Sequence, residues 1–385
     1  MRSWRVRPWR RWANSTGKAR EKLLLMILAE DTEKDWSKPS AKKLNPPPVF
    51  ERFEQDTKCE GIYASCKSLA ITADGGAIFA CITRKNPKGK VGTNSEFMKE
   101  ISAFDRRGPH LTQRWKLPEP NGVFPKHIAC TRDGSTVVVL ESQYVDEVCR
   151  CRLMQMAGTT GTVMRREEFT GEPADMAMAR DGTGVAVVTH DGKVRVFDAT
   201  LQPLCEATPE SKPKGVLFLR GGELLIATRG GVLLMAPPHT QMTNIISVNA
   251  FALSMDDAEE LLCVSRWFYV QGVEEDPDEF GVRVFRRGSH ELLRELLVPG
   301  HHCVQGTISP DGKLVAMEAE KIGAMKKFIV VFEVAIGKEI ARRKSPSPYQ
   351  LCFLPDNRTL AIPFYGYMTA EPIMLWTCCP ATEIT

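Results

Sequence analysis

One short pattern recurs seven times in this chain and restricts its fold more than any other feature. An apolar run leads into a turn built on Asp-Gly or a close equivalent, and a second apolar run follows. The turns are Asp74-Gly75, Asp133-Gly134, Asp181-Gly182, Gly221-Gly222, Asp256-Asp257, Asp311-Gly312 and Asp356-Asn357. The apolar runs after them span 78–82, 137–140, 185–188, 224–227, 261–264, 314–317 and 360–362. Two strands that reverse direction need a residue at positive φ and a side chain that can hold the bend, and Asp-Gly supplies both. The spacings between successive turns are 59, 48, 40, 35, 55 and 45 residues, a mean of 47. That period has room for about four short strands per repeat, the size of a propeller blade.

Further strand-like runs fill each repeat. A third strand is expected at 101–105, 148–154, 194–198, 232–235, 282–285, 328–332 and 373–376, all short and mostly rich in Val, Ile, Leu and Phe. Outer strands are expected at 203–206, 292–297 and 339–342. The fold expected is all-β: a seven-bladed β-propeller over 48–385, preceded by a basic tail, short helix and Pro-rich linker over 1–47.

The turn Ser309-Pro310-Asp311-Gly312-Lys313, followed by a strand ending in apolar-x-apolar-Phe or apolar-Trp, resembles the WD-repeat and YVTN-type propeller superfamily. The resemblance covers about residues 48 to 380 and is specific for fold while nearly silent on function. No blade carries the Trp-Asp dipeptide, Phe104-Asp105 and Phe197-Asp198 coming closest, and no Gly-His pair precedes each blade. The resemblance therefore implies a divergent propeller, in which the structural His–Asp network of WD repeats should be absent. The resemblance implies that an N-terminal strand completes the last blade. Residues 49–53 are the candidate, and the C-terminal segment 378–385 is the rival. Closure would remove the exposed sheet edges.

Charge is unevenly distributed. The chain carries +4 overall, but residues 1–45 hold twelve Lys/Arg against five Asp/Glu. Trp4, Trp9 and Trp12 interleave with arginines that include Arg10 and Arg11, and residues 18–34 read as a short helix. Such an arm can lay arginine on phosphates and stack tryptophan, meeting RNA or another acidic surface. An Arg-rich, acid-poor start also resembles a mitochondrial targeting segment, although Pro8 interrupts an amphipathic helix. A solvated tail, or one docked on a larger assembly, is the third reading. The chain reads as intracellular, with the mitochondrion favoured over the cytoplasm. No run is long and apolar enough for a transmembrane segment. Of twelve cysteines, Cys81, Cys130, Cys263 and Cys352 fall in apolar runs, so no disulfide framework is expected.

Motifs for chemistry are sparse. There is no nucleophile elbow, phosphate-binding loop or zinc-protease helix. His301-His302 reads as a polar loop pair ahead of a strand, and Cys149, Cys151, Cys378 and Cys379 lack zinc-site spacing. The glycines at 221–222 and 230–231 read as hairpin turns. Neither a cofactor nor a metal is expected.

Two insertions draw attention instead. Residues 84–99 are basic, with Arg84, Lys85, Lys88, Lys90 and Lys99; Trp267, Phe268 and Tyr269 precede an acidic run at 274–279. Both join second and third strands and should emerge on one face, where long loops on a rigid scaffold concentrate recognition. The expectation is a non-catalytic scaffold that binds other protein subunits through these residues. A lactonase-like propeller hydrolase working in the central channel, or an RNA-associated propeller using the tail, are the alternatives.

Overall fold

The computed structural model describes residues 50–51, 64–86, 88–89, 97–108, 110–120, 122–239, 241–266, 281–321, 326–345, 350–363 and 373–378. Every regular element among them is a strand. Seven antiparallel sheets of four strands form a seven-bladed β-propeller. Blade 1 consists of Ala64–Ile71, Ala77–Lys85, Phe97–Arg107 and His110–Pro118; blade 2 of Val123–Cys130, Thr136–Val145, Val148–Ala157 and Val163–Thr170. Blades 3 to 6 occupy 173–207, 213–246, 252–297 and 301–344. In blade 7 the strands Cys352–Phe353, Thr359–Pro363 and Ile373–Thr377 are joined by Phe50–Glu51. Phe50 stands opposite Trp376 and Glu51 opposite Leu375, so the N-terminal strand closes the ring. Residues 1–49, where the tail and short helix were expected, lie outside the described residues, as do 379–385.

The second strand of each blade is buried on both faces, and its alternate residues serve different neighbours. In blade 1, Ile78, Ala80 and Ile82 pack with blade 7 residues Leu354, Ala361 and Ile373. Ala77, Phe79 and Cys81 pack with blade 2 residues Ile128, Val137 and Val139. The same alternation repeats around the ring and yields seven apolar layers, one at each blade-to-blade boundary. A strand buried on both sides reads as a continuous apolar run, which is why the second strands stand out in the sequence.

The turns are built by side chains. In blade 1 the Thr72 hydroxyl donates to Asp74 Oδ1 at 2.6 Å and accepts the Ala77 amide at 2.9 Å, while Asp74 Oδ1 also accepts the Gly76 amide at 2.8 Å. Thr131 with Asp133, and Ser309 with Asp311, repeat this arrangement. These bonds favour the ionised carboxylate: Asp74 lies below the usual carboxylate range, and Asp133 falls to about 2, first through the Thr131 hydroxyl. Blade 5 departs from the expected Asp256-Asp257 turn. Asp256 occupies the position of Thr72 and accepts the Glu260 and Leu261 amides, and the positive-φ residue is Glu259 at 59°. The glycine pairs at 221–222 and 230–231 do form hairpin turns, with Gly222 and Gly231 at positive φ.

Three further expectations need adjustment. His301 and His302 are not in a loop: they begin the inner strand His301–Ile308, opposite Lys321 and Glu320. The basic insertion is shorter than 84–99, because Arg84 and Lys85 end one strand and Lys99 lies inside the next. Outer strands also exist at His110–Pro118, Val163–Thr170 and Met242–Ile246.

Gly134 and Gly108 share a similar φ, 70° and 62°, but a Cβ on Gly134 would lie 2.5 Å from Thr72 Cγ2 of blade 1, whereas one on Gly108 meets open space. Backbone strain should be common to both alanine variants, at about 1 kcal/mol. Gly134→Ala should cost about 1–3 kcal/mol more, through overpacking between blades. Urea unfolding of the two variants checks this; equal losses would contradict the packing.

Candidate functional site at the channel mouth

The inner strands line the central channel, and their equivalent positions form a belt. Four residues before the turn position held by Thr72 stands Ser68; the same count gives His127, Asp175, Gly215, Ala252, Gln305 and Gln350 in the other blades. The polar members tie one blade to the next. Gln350 Oε1 of blade 7 accepts the Ser68 hydroxyl at 3.2 Å and the Leu69 amide at 3.1 Å. Ser68 Oγ in turn accepts the Ile128 amide of blade 2, and Asp175 Oδ2 of blade 3 accepts the Val216 amide of blade 4 at 3.0 Å. Blade 5 has Ala252 at the belt position, and Ser265 on its second strand accepts the Gly306 amide of blade 6 instead, at 2.8 Å.

His127 and Asp175 face each other in this belt, with Nδ1 3.6 Å from Oδ1. Asp175 is set by two backbone amides, Met176 and Val216. Burial dominates both groups and favours their neutral forms: Asp175 is raised to about 6, and His127 is lowered to about 4, with Lys67 and Lys126 adding to the effect. The sequence alone pointed to no acid for His127. Aligning the blades on their turns would have found Asp175 at the equivalent position.

The two ends of the channel differ. At the end carrying the Asp-Gly turns, the blades are locked by backbone bonds from Ala73 to Arg132 and from Arg132 to Arg180. Arg180 of blade 3 also reaches Asp257 of blade 5 at 2.9 Å. At the opposite end, here called the mouth, the second and third strands of blades 1, 2 and 6 run on beyond those of blades 3 and 4. They have seven to eleven residues, against five or six in blades 3 and 4. These extensions leave the apolar layers, and cross-strand ion pairs hold them together. Arg84 Nε meets Glu100 at 2.9 Å, Arg152 meets Glu141 at 2.5 Å and Glu119 at 3.3 Å, and Lys327 meets Glu320 at 3.2 Å. Glu119 is pushed up to about 8 by burial and then by Glu141, with Arg152 opposing the shift. Asp146 and Glu147, both at positive φ, cap the blade 2 extension. Tyr144 and Val148 beside them are 57% and 48% exposed, and Met98 on blade 1 is 42% exposed.

The residues singled out from sequence are distributed as follows. Arg84 and Lys85 end the second strand of blade 1 on the mouth side, Arg84 being turned onto Glu100; Lys88 is exposed just beyond. Lys90, Trp267, Phe268, Tyr269, Trp4, Trp9, Arg10, Arg11 and Trp12 lie outside the described residues. The ends of the 267–280 segment, Arg266 and Gly281, are on the mouth side by strand direction. The ten described cysteines are free thiols. Among the described residues no group of three or more His, Cys, Asp or Glu is placed to hold a metal ion, and no helix is long and apolar enough to cross a membrane.

Between pH 4 and 6 the folded His127–Asp175 pair holds one proton, on Asp175; the unfolded pair also holds one, on His127. The pair therefore adds no pH slope to stability in that window. Asp175→Asn removes the compensation. Relative to the parent, the variant should then lose about 1–3 kcal/mol as pH falls from 6.5 to 4, because His127 resists protonation in the folded state. Urea unfolding across that range tests this, and a variant-to-parent difference that stays flat would contradict it.

No protein-family model matches the chain, and no curated protein matches it. Solved structures do. The β-propeller domain of Myceliophteria thermophila Cps50 (Swd1) is 13% identical with a TM-score of 0.59, over 82% of this chain and 96% of that one. Kuenenia stuttgartiensis hydrazine synthase is 16% identical with a TM-score of 0.51, over 62% of this chain and 73% of that one. At such identities the likeness establishes architecture alone: the chain is a seven-bladed β-propeller.

Proposed function

We propose that this propeller is a non-catalytic scaffold that docks another protein on its mouth face, as a subunit of a larger assembly. The observation that carries the reading is the raised rim of blades 1 and 2. Its strands are stiffened by buried ion pairs, and its tip presents Met98, Tyr144 and Val148 to solvent. Aromatic and apolar side chains on a rigid support suit an interface anchor, and charges around them suit its rim. Lys85, Lys88 and Lys90 would form part of that rim, with Arg84 at its base. Trp267, Phe268 and Tyr269 follow a strand that ends on the same face and would add a second anchor. The Arg/Trp tail, with Trp4, Trp9, Arg10, Arg11 and Trp12, would supply a further contact to the assembly or to an acidic surface.

The engagement of the belt residues favours a scaffold over the lactonase-like reading. Asp175, Ser68 and Gln350 spend their acceptors on backbone amides of the neighbouring blade. Affinity capture of the tagged full chain from its own cells, followed by size analysis, tests the proposal. The parent should elute in a large particle. Tyr144→Ala with Val148→Ala, or Trp267→Ala with Phe268→Ala, should release it while the thermal midpoint stays within a few degrees. A parent that runs alone, or variants that keep the whole particle, would contradict it.

A further inference from the structure

The position just after the residue whose amide closes each hairpin holds Arg132, Arg180, Arg220 and Asp257 in blades 2 to 5. Three successive blades thus bring an arginine to the turn end of the channel, and direct contacts draw these residues together. The Arg132 amide donates to the Arg180 carbonyl at 3.0 Å. Arg180 Nη1 lies 2.9 Å from Asp257 Oδ1, and the Arg220 guanidinium donates to the Asp257 carbonyl.

The charges of this cluster do not cancel. Arg220 and Arg287 share Glu259, and Arg287 also meets Glu223 at 2.7 Å. Asp257 offsets Arg180. Among the described residues Arg132 has no carboxylate oxygen within 4.0 Å of its guanidinium and no side-chain hydrogen bond. The aspartates of the adjoining turns are drawn back into their own hairpins. Asp74 Oδ1 accepts from Thr72 and Gly76, Asp133 Oδ1 from Thr131 and Ser135, and Asp181 Oδ1 from Thr183. Arg132 is the cation left over.

This cation stands beside apolar walls. Arg132, Arg180 and Asp257 line a cavity of about 200 Å³ together with Ile71, Phe353 and Pro355. A second cavity of about 240 Å³ shares Ile71, Asp257, Pro310 and Phe353 with it and adds Leu69, Met255 and Ile308. Apolar walls with a few polar groups at one end are the composition of a small-molecule site, where the polar groups orient the ligand. A guanidinium matches a carboxylate with two parallel N–H···O bonds. A single surplus charge suits a monoanion, whereas a phosphate monoester would bring nearly two negative charges. The aliphatic and aromatic wall suits an acid with an apolar body, which gains by leaving water.

We propose that the turn end of the channel binds a small monocarboxylate with an apolar body. Its carboxylate is held by Arg132 with Arg180 in support, and its body rests against Ile71, Met255, Ile308 and Phe353. The site lies at the opposite end of the ring from the rim proposed to dock protein, and its test does not depend on that partner.

The test is calorimetric titration of the purified full chain with hexanoate and, separately, benzoate, at neutral pH and low salt. Saturable binding of at least one of them is expected, tighter than that of acetate, which lacks the body, and of hexan-1-ol, which lacks the charge. Arg132→Gln should weaken it by roughly tenfold or more, the loss of a hydrogen-bonded charge. Arg165→Gln, the same change on an outer strand, should match the parent. Without ligand, Arg132→Gln should unfold within a few degrees of the parent, since its side chain holds no neighbour in place. The bound acid should raise the parent's midpoint and leave that of Arg132→Gln unchanged. No saturable binding of either acid by the parent, an affinity of Arg132→Gln within twofold of the parent's, or equal binding of hexanoate and hexan-1-ol would overturn the proposal.

Discussion

Everything in this molecule depends on closing the ring. A blade exchanges few main-chain hydrogen bonds with its neighbours, so it is held mainly by the side chains on its two faces. Each apolar layer is complete only when a blade stands on both sides of it. The layer between blades 7 and 1 joins residues almost 300 positions apart, such as Ile78 and Leu375. The pairing of Phe50–Glu51 with the strand Ile373–Thr377 gives blade 7 the fourth strand that its C-terminal segment lacks. The Gln350–Ser68–Ile128 hydrogen bonds run through this same junction, so belt and closure reinforce each other.

The two faces then divide the labour. On the turn face, Asp-centred hairpins are short, internally hydrogen-bonded and linked blade to blade. On the mouth face, uneven strand lengths raise a rim on one side. Rigidity below and irregularity above is the arrangement expected of a recognition surface.

Much of the ring was legible in the sequence, for physical reasons. Second strands are buried on both sides and cannot hide their apolar runs, and the turns need Asp, Gly or Asn. Outer strands were the hardest to see. Val163–Thr170 has only two aliphatic or aromatic residues besides its leading Val163, because most of its side chains meet solvent. The basic stretch from Arg84 looked like loop because charge normally marks solvent, but Arg84 and Glu100 neutralise each other across two strands. Asp175 was invisible as a partner of His127 because 48 residues separate them and only the stacking of blades brings them together. The blade 5 turn shifted by two positions because Asp256 can replace a threonine hydroxyl as the acceptor that holds the hairpin.

Hydrogen exchange at the amides of residues 373–377 tests ring closure most directly. In the parent these amides should exchange slowly, at rates set by opening of the ring. In a full chain bearing Phe50→Pro and Glu51→Pro, which cannot complete the ladder, they should exchange orders of magnitude faster, with the inner strands of blades 1 and 7 following and blades 3 and 4 changing least. Rapid exchange at 373–377 in the parent, or slow exchange in both proteins, would contradict closure by the N-terminal strand.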